Sequence, residues 1–209
     1  MSISKSSADT QALDVLFDED VLRDRLMRAM SMSLIEKGYA QTTVADVVER
    51  ARVSRRTFYE EFSDRGDCLL AICERSSEVA QSLIEAAADP GLPWLEQVEN
   101  AIDVHIAFLT AEPRLTHAVL FEIHSLGERG QAVHREANHS ITLEVIELAG
   151  RSRAAGAEIR ELSYATAAAI VGGTYQLMQL MSWGPQTISV DEARQASIDL
   201  VLDATRPRD

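Results

Sequence analysis

Apolar residues recur every three or four positions along nearly the whole chain, and nothing reads as a pair of strands. Leu22, Leu26, Ala29, Met30 and Ser33 share one face of a helix over about Asp20 to Lys37, which Gly38 stops. A second helix starts after Thr43, with Val44, Val47 and Val48 as its buried side. Thr43 caps it, and Asp46 in the third helical position makes a capping-box variant. A third runs from a Ser54 cap to near Phe62, and a fourth from about Asp64 to Ala88. Asp89-Pro90-Gly91-Leu92-Pro93 breaks the pattern.

Beyond the break the periodicity stays helical. Trp94, Val98, Ala101, Ile102, His105, Phe108 and Leu109 form one stripe on a helix from Pro93 to Thr110. Glu112-Pro113 opens the next, predicted to reach about Leu126, and a polar helical stretch covers about Glu128 to Ser152. "RSRAAGAEIRE" is a loop. Leu162 to Trp183 is a strongly apolar helix ended by Gly184-Pro185, and a last helix spans about Val190 to Ala204. The fold class is all-α: a three-helix N-terminal unit continued into a helical bundle. The expected organisation is a flexible arm over 1–18, a DNA-binding domain over 19–65 and a ligand-binding and dimerisation domain over 66–209.

Charge divides the chain in the same way. Asp and Glu outnumber Lys and Arg 33 to 20 overall. Yet Asp20 to Arg65 holds nine basic against eight acidic residues, whereas Gly66 onward holds ten against twenty-one. A near-neutral front and an acidic back suggest different partners for the two parts. No apolar run approaches the roughly 18 residues of a membrane span, and the N-terminus lacks the apolar core of a signal peptide. The only cysteines, Cys68 and Cys73, lie five apart on one helix and point in different directions, as small packers rather than a disulfide. A cytoplasmic home is expected.

Helices two and three are short and joined by "ARVS". A helix-turn-helix has this layout, and its second helix enters the DNA major groove N-terminal end first. On that leading turn stand Ser54, Arg55, Arg56 and Thr57. Two arginines on an exposed helix are ordinarily a solvated pair. Behind a capped turn, their forked donors fit guanine O6 and N7. Thr57 can meet a thymine methyl or a phosphate, and the Tyr59 hydroxyl a phosphate. The amides opening helices two and four are expected phosphate sites, with Thr42 and Thr43 at the first and Arg65 at the second.

"GYAQTTVADVVERARVSRRTFYEEFSDRGDCL" resembles the DNA-binding segment of the TetR family of bacterial transcriptional regulators. The resemblance covers about Asp20 to Leu70 and rests on Gly38-Tyr39, Thr43, Val53-Ser54, Thr57, Tyr59 and Phe62. Arg52 stands where the family commonly has Gly in the turn. A left-handed backbone there would cost on the order of 1–2 kcal/mol, while adding a cation near DNA. Arg65 replaces the usual Lys. Glu60 and Glu61 are carboxylates close to a polyanion and should lie off the phosphates.

The resemblance implies a ligand pocket in the back half and a dimer interface in the last two helices. The residues point the same way. Polar groups amid apolar ones nominate Trp94, His105, Phe108, Phe121, His124, Tyr175, Gln176 and Met178 for the pocket. Ala165, Ala169, Gly172 and Gly173 form a small-residue face open to close helix approach. Leu200 and Val201 belong to a compatible stripe on the final helix, so two helices from each chain would make a four-helix bundle.

Enzyme motifs are missing: there is no G-x-S-x-G, P-loop, G-x-G-x-x-G, H-E-x-x-H or C-x-x-C. No metal or cofactor is implied. The expected function is a homodimeric, ligand-responsive regulator, most simply a repressor released from a palindromic double-stranded DNA operator by an apolar or amphipathic small molecule. The alternatives are an activator, a regulator using its ligand as co-repressor, or a helical protein-interaction module that no longer binds DNA.

Overall fold

A computed structural model describes residues 13–182 and 188–207, with the backbone alone at Ser182. All regular structure among them is helical. The elements are α1 (Leu22–Gln41), α2 (Val44–Ala51), α3 (Arg55–Glu61), α4 (Arg65–Ala87), α5 (Trp94–Ala111), α6 (Pro113–Leu120), a 3-10 helix (Glu122–Leu126), α7 (Glu128–Ala154), α8 (Tyr164–Ser182) and α9 (Val190–Thr205). Trp183, Gly184 and Pro185, the expected end of α8, lie outside the described residues. The single helix expected from Pro113 to Leu126 is instead broken at Phe121, whose φ −123° and ψ −48° interrupt it before the 3-10 turn.

The chain divides into two compact units. The first takes the described residues of Met1–Val79 and Thr110–Arg135, the second those of Ala80–Leu109 and Glu136–Asp209. The expected boundary at residue 65 falls inside the first unit. α4 carries the first unit's core onward through Cys68, Leu69 and Ile72, all fully buried. The segment 110–135 also returns to the first unit.

Of the flexible arm expected over 1–18, residues 1–12 lie outside the described residues and residues 13–18 are held in place. Leu13 (1% exposed), Leu16 and Phe17 are buried in the first unit. Arg28 pins the segment with ion pairs to Asp14 (2.6 Å) and Glu19 (3.1 Å), and the Asp18 amide donates to Asp24. Three apolar side chains on one helical turn over 13–16 and its continuation were enough to order a stretch whose composition is polar.

In the first unit, Leu26, Met30 and Leu34 of α1, Val47 of α2, and Phe58 and Phe62 around α3 are buried. Gly38 (φ 75°, ψ 169°) breaks α1 where expected. Arg114 at the head of α6 donates to the Ile35 and Glu36 carbonyls at 2.9 and 2.8 Å, satisfying backbone acceptors near that break. Both cysteines are buried and free, and burial pushes their thiols well up.

The second unit centres on Val98, Ala149, Leu162, Ile170, Ile198 and Val201. A buried polar relay crosses it: Ser152 Oγ donates to Gln97 Oε1 (2.7 Å), and Gln97 Nε2 donates to the Leu92 carbonyl (2.7 Å). Ser189 and Glu192 form a reciprocal capping box at the start of α9.

Candidate nucleic-acid interface and effector cavity

The turn between α2 and α3 is built by hydrogen bonds that the sequence specifies. The Thr43 hydroxyl oxygen accepts from the Asp46 amide, and the Asp46 carboxylate accepts from the Thr43 amide at 2.7 Å. Lys37 adds an ion pair at 2.7 Å. The Lys37 bond, followed by those of the Thr43 hydroxyl and amide, holds the Asp46 carboxyl far below the usual carboxylate range. At its other end α2 closes with a Schellman motif. The Val53 amide donates to the Val48 carbonyl (3.0 Å) and the Arg52 amide to that of Glu49 (3.2 Å). This closure requires a left-handed residue, and Arg52 supplies it at φ 55°, ψ 47°. Arg25 of α1 donates to the Ala51 carbonyl at 3.0 Å, a second tie at the same end.

Ser54 then starts α3, its Oγ accepting from the Thr57 amide at 3.1 Å. Phe58 is fully buried and anchors the helix from beneath, with its ring centroid 5.7 Å from that of Phe62. The opposite side presents Arg52, Ser54, Arg55, Arg56 and Tyr59 to solvent, Tyr59 at 55% exposure. Thr57 is half-buried beneath them. Arg56 and Glu60 form an i,i+4 ion pair at 3.0 Å. Glu61 is drawn toward α1. Arg23 donates to its carbonyl at 2.8 Å and lies 4.2 Å over the Phe62 ring.

Three of the residues expected at phosphates are placed differently. Thr42 is fully buried, and its hydroxyl donates to the Gly38 carbonyl at 2.8 Å, mending the break in α1. It is not part of the exposed face. Thr43 is exposed, but its amide and hydroxyl both donate to Asp46, so the cap consumes the donors a phosphate would need. Arg65 is half-buried, with its guanidinium 4.3 Å over the Tyr39 ring. It donates to the Tyr39 carbonyl at 2.9 Å and also to the Thr42 carbonyl. Arg65 thus ties α4 to the α1–α2 junction. The start of α4 is also occupied: Asp64 accepts from the Asp67 amide (2.7 Å), Asp67 accepts from the Ser63 amide and hydroxyl, and Arg129 bridges both carboxylates. What remains open is the head of α3.

Residues 26–72 match the family model of the bacterial regulatory proteins, tetR family. Over that segment the chain is similar to the DNA-binding part of TetR-family transcriptional regulators. It is 26% identical over 92 residues to the uncharacterized HTH-type transcriptional regulator YxbF of Bacillus subtilis (strain 168). That match takes in 44% of this chain and 24% of the relative, so it spans only about a quarter of the relative's length. The fold of fatty acid degradation regulator FadR from Bacillus halodurans is similar over 90% of this chain and 97% of that one, with TM-score 0.73 and 18% identity. A bacterial regulatory protein in the tetR family from Rhodococcus RHA1 is similar over 90% and 98%, with TM-score 0.65 and 17% identity.

The second unit holds a cavity lined by Ile84, Trp94, Val98, Ala101, Ile102, His105, Ile141, Val145, Leu148, Ile170, Val171, Thr174 and Val201. Its empty space, mouth included, is about 600 Å³. Of the residues nominated for a pocket, Trp94 and His105 line this cavity, and the Tyr175 ring centroid is 6.3 Å from that of His105. The other nominations do not. Phe121 and His124 belong to the first unit, where the break at Phe121 carries them, and His124 faces His134 at 4.7 Å between ring centroids. Gln176 is exposed, Met178 is buried away from the lining, and half-buried Phe108 is not part of it. The sequence reading missed Ile141, Val145 and Leu148 of α7. Their i, i+4, i+7 spacing was a readable stripe, hidden in a stretch whose overall polarity dominated.

On α8, Ala165, Ala169, Gly172 and Gln176 form an exposed row at helical spacing. Gly173 faces inward instead: a Cβ there would sit 3.0 Å from Leu200 Cδ2, so its small size serves the approach of α9 within one chain. Leu200 is 37% exposed. Val201, expected at a dimer interface, is buried among the second unit's core residues and lines the cavity. It lies on the inner side of α9, one residue round from Leu200. No helix among the described residues is long and apolar enough to cross a membrane.

Proposed function

We propose that this regulator is a homodimeric repressor that reads a palindromic operator with α3 and releases it when a small apolar or amphipathic effector enters the second unit. The observation that carries the reading is the head of α3. Ser54 caps it, Phe58 anchors it, and Arg52, Arg55, Arg56 and Tyr59 stand exposed together. Arg55 and Arg56 supply base contacts of the bidentate arginine–guanine kind, while Arg52 and Tyr59 flank them for phosphates. Thr43 and Arg65 position this helix rather than touch DNA. The exposed α8 row with Leu200 supports pairing of two chains, and symmetric half-sites about 34–36 Å apart then follow from the two-fold axis.

The apolar cavity supports the effector reading. The Bacillus halodurans neighbour is named a regulator of fatty acid degradation, which agrees with an apolar effector here. An effector that binds one state of the dimer better than the other shifts it away from the DNA-competent state. The test is selection of bound sequences from a random duplex pool by the purified protein, followed by titration of the winning duplex at several salt concentrations. Enrichment of a two-fold-symmetric site, with affinity falling steeply with salt, supports the proposal. A pool that stays random contradicts it and favours a module that has lost DNA binding.

A further inference from the structure

His105 is 7% exposed, lines the cavity, and its Nδ1 is buried with no hydrogen-bond partner among the described residues. An unpartnered buried nitrogen is costly, so a native chain that keeps one points to a group that comes and goes. The rest of the lining says what that group is. Among the described residues only two other lining side chains carry a polar atom, and both are engaged. Trp94 Nε1 donates to Thr205 Oγ1 at 2.9 Å, and Thr174 Oγ1 donates to the Ile170 carbonyl at 3.1 Å. No Lys or Arg among the described residues lines the cavity. An anionic head would therefore enter an apolar enclosure without a resident counter-charge, which is strongly unfavourable.

We propose that the cavity selects a neutral, largely apolar molecule bearing a single hydroxyl, and that His105 Nδ1 is the atom that meets this hydroxyl. A hydroxyl both donates and accepts, so it satisfies either tautomer of a neutral imidazole. Burial supports the neutral form, pushing His105 down to about 4 and the nearby Tyr175 hydroxyl up to about 12. The space open to the centres of water-sized atoms is about 70 Å³. A single ring with a short tail suits that space better than a long acyl chain. The phenol class combines such a ring, one hydroxyl and no charge at neutral pH.

This inference rests on the cavity being the effector site, and binding is measured without DNA so that the two readings fail separately. The probes are 4-propylphenol, 4-propylbenzoate and propylbenzene, titrated calorimetrically against the full chain at pH 7.5. The phenol is expected to bind at least tenfold more tightly than the benzoate. In His105→Leu its affinity should fall about tenfold, to that of propylbenzene, whose own affinity stays within about threefold. His105→Gln keeps a polar head and should retain part of the preference. Ala101→Phe, which fills the cavity, should abolish binding of all three and keeps the test decisive if His105→Leu does not fold. Benzoate binding as tight as the phenol, a phenol preference that survives His105→Leu or Ala101→Phe, or no binding by any probe would overturn the proposal. Phenol binding that leaves operator affinity unchanged would uphold the ligand class and sink the release mechanism instead.

Discussion

Burial holds the His105 imidazole at about 4, below its ordinary 6.5. Between those values the unfolded chain takes up a proton that the folded chain refuses. The stability involved is complete above about pH 6.5 and is lost as pH falls toward 4. At about 1.4 kcal/mol per pH unit, the loss by pH 5 is about 2 kcal/mol. Denaturant unfolding at pH 7.5 and pH 5 should show the parent losing about that much more than His105→Leu. Equal losses would mean that the imidazole is not buried neutral. Single residues were read unevenly from the sequence. Ser54 and Thr43 announce their caps because capping needs only neighbours a few positions away. Thr42 and Arg65 were misplaced because their partners, the Gly38, Tyr39 and Thr42 carbonyls, appear only once the α1 break and the start of α4 meet.

At the scale of elements, the turn between α2 and α3 is set by one left-handed residue. Arg52 adopts φ 55° to close the Schellman motif, a conformation that costs a non-glycine residue on the order of 1 kcal/mol. Arg52→Gly is expected to raise stability by up to about 1 kcal/mol, less the entropy glycine loses on folding. It should also weaken operator binding and reduce the salt slope by about one contact's worth. A stabilised variant with an unchanged slope would remove Arg52 from the DNA face. Most helices were legible because their apolar period is strong. The exception is the stretch from Pro113 to Leu126, which lacks a proline or glycine at the break. There Glu122 accepts from the Tyr39 amide at 3.2 Å, a contact 83 residues away that sequence spacing does not show.

Across the whole molecule, the acidic back half and near-neutral front half suggested two parts, and nothing in the charge pattern showed that 110–135 belongs with the first compact unit. The proposed pairing of chains through α8 gives a direct prediction. A Cβ at Gly172 would meet nothing within 4 Å, so Gly172→Arg fits the folded chain while placing a charge on the exposed small-residue row. Sedimentation should show a folded monomer in place of a dimer. A variant that stays dimeric would move the interface off this row.

DNA reading by the head of α3 is tested most directly by base preferences at each operator position, measured on the same random pool for the parent, Arg55→Ala and Arg56→Ala. Each substitution is predicted to relax preference at one guanine-bearing position in both half-sites, by about 1–3 kcal/mol, and to leave the other positions unchanged. Preferences that are identical in all three proteins would contradict the account.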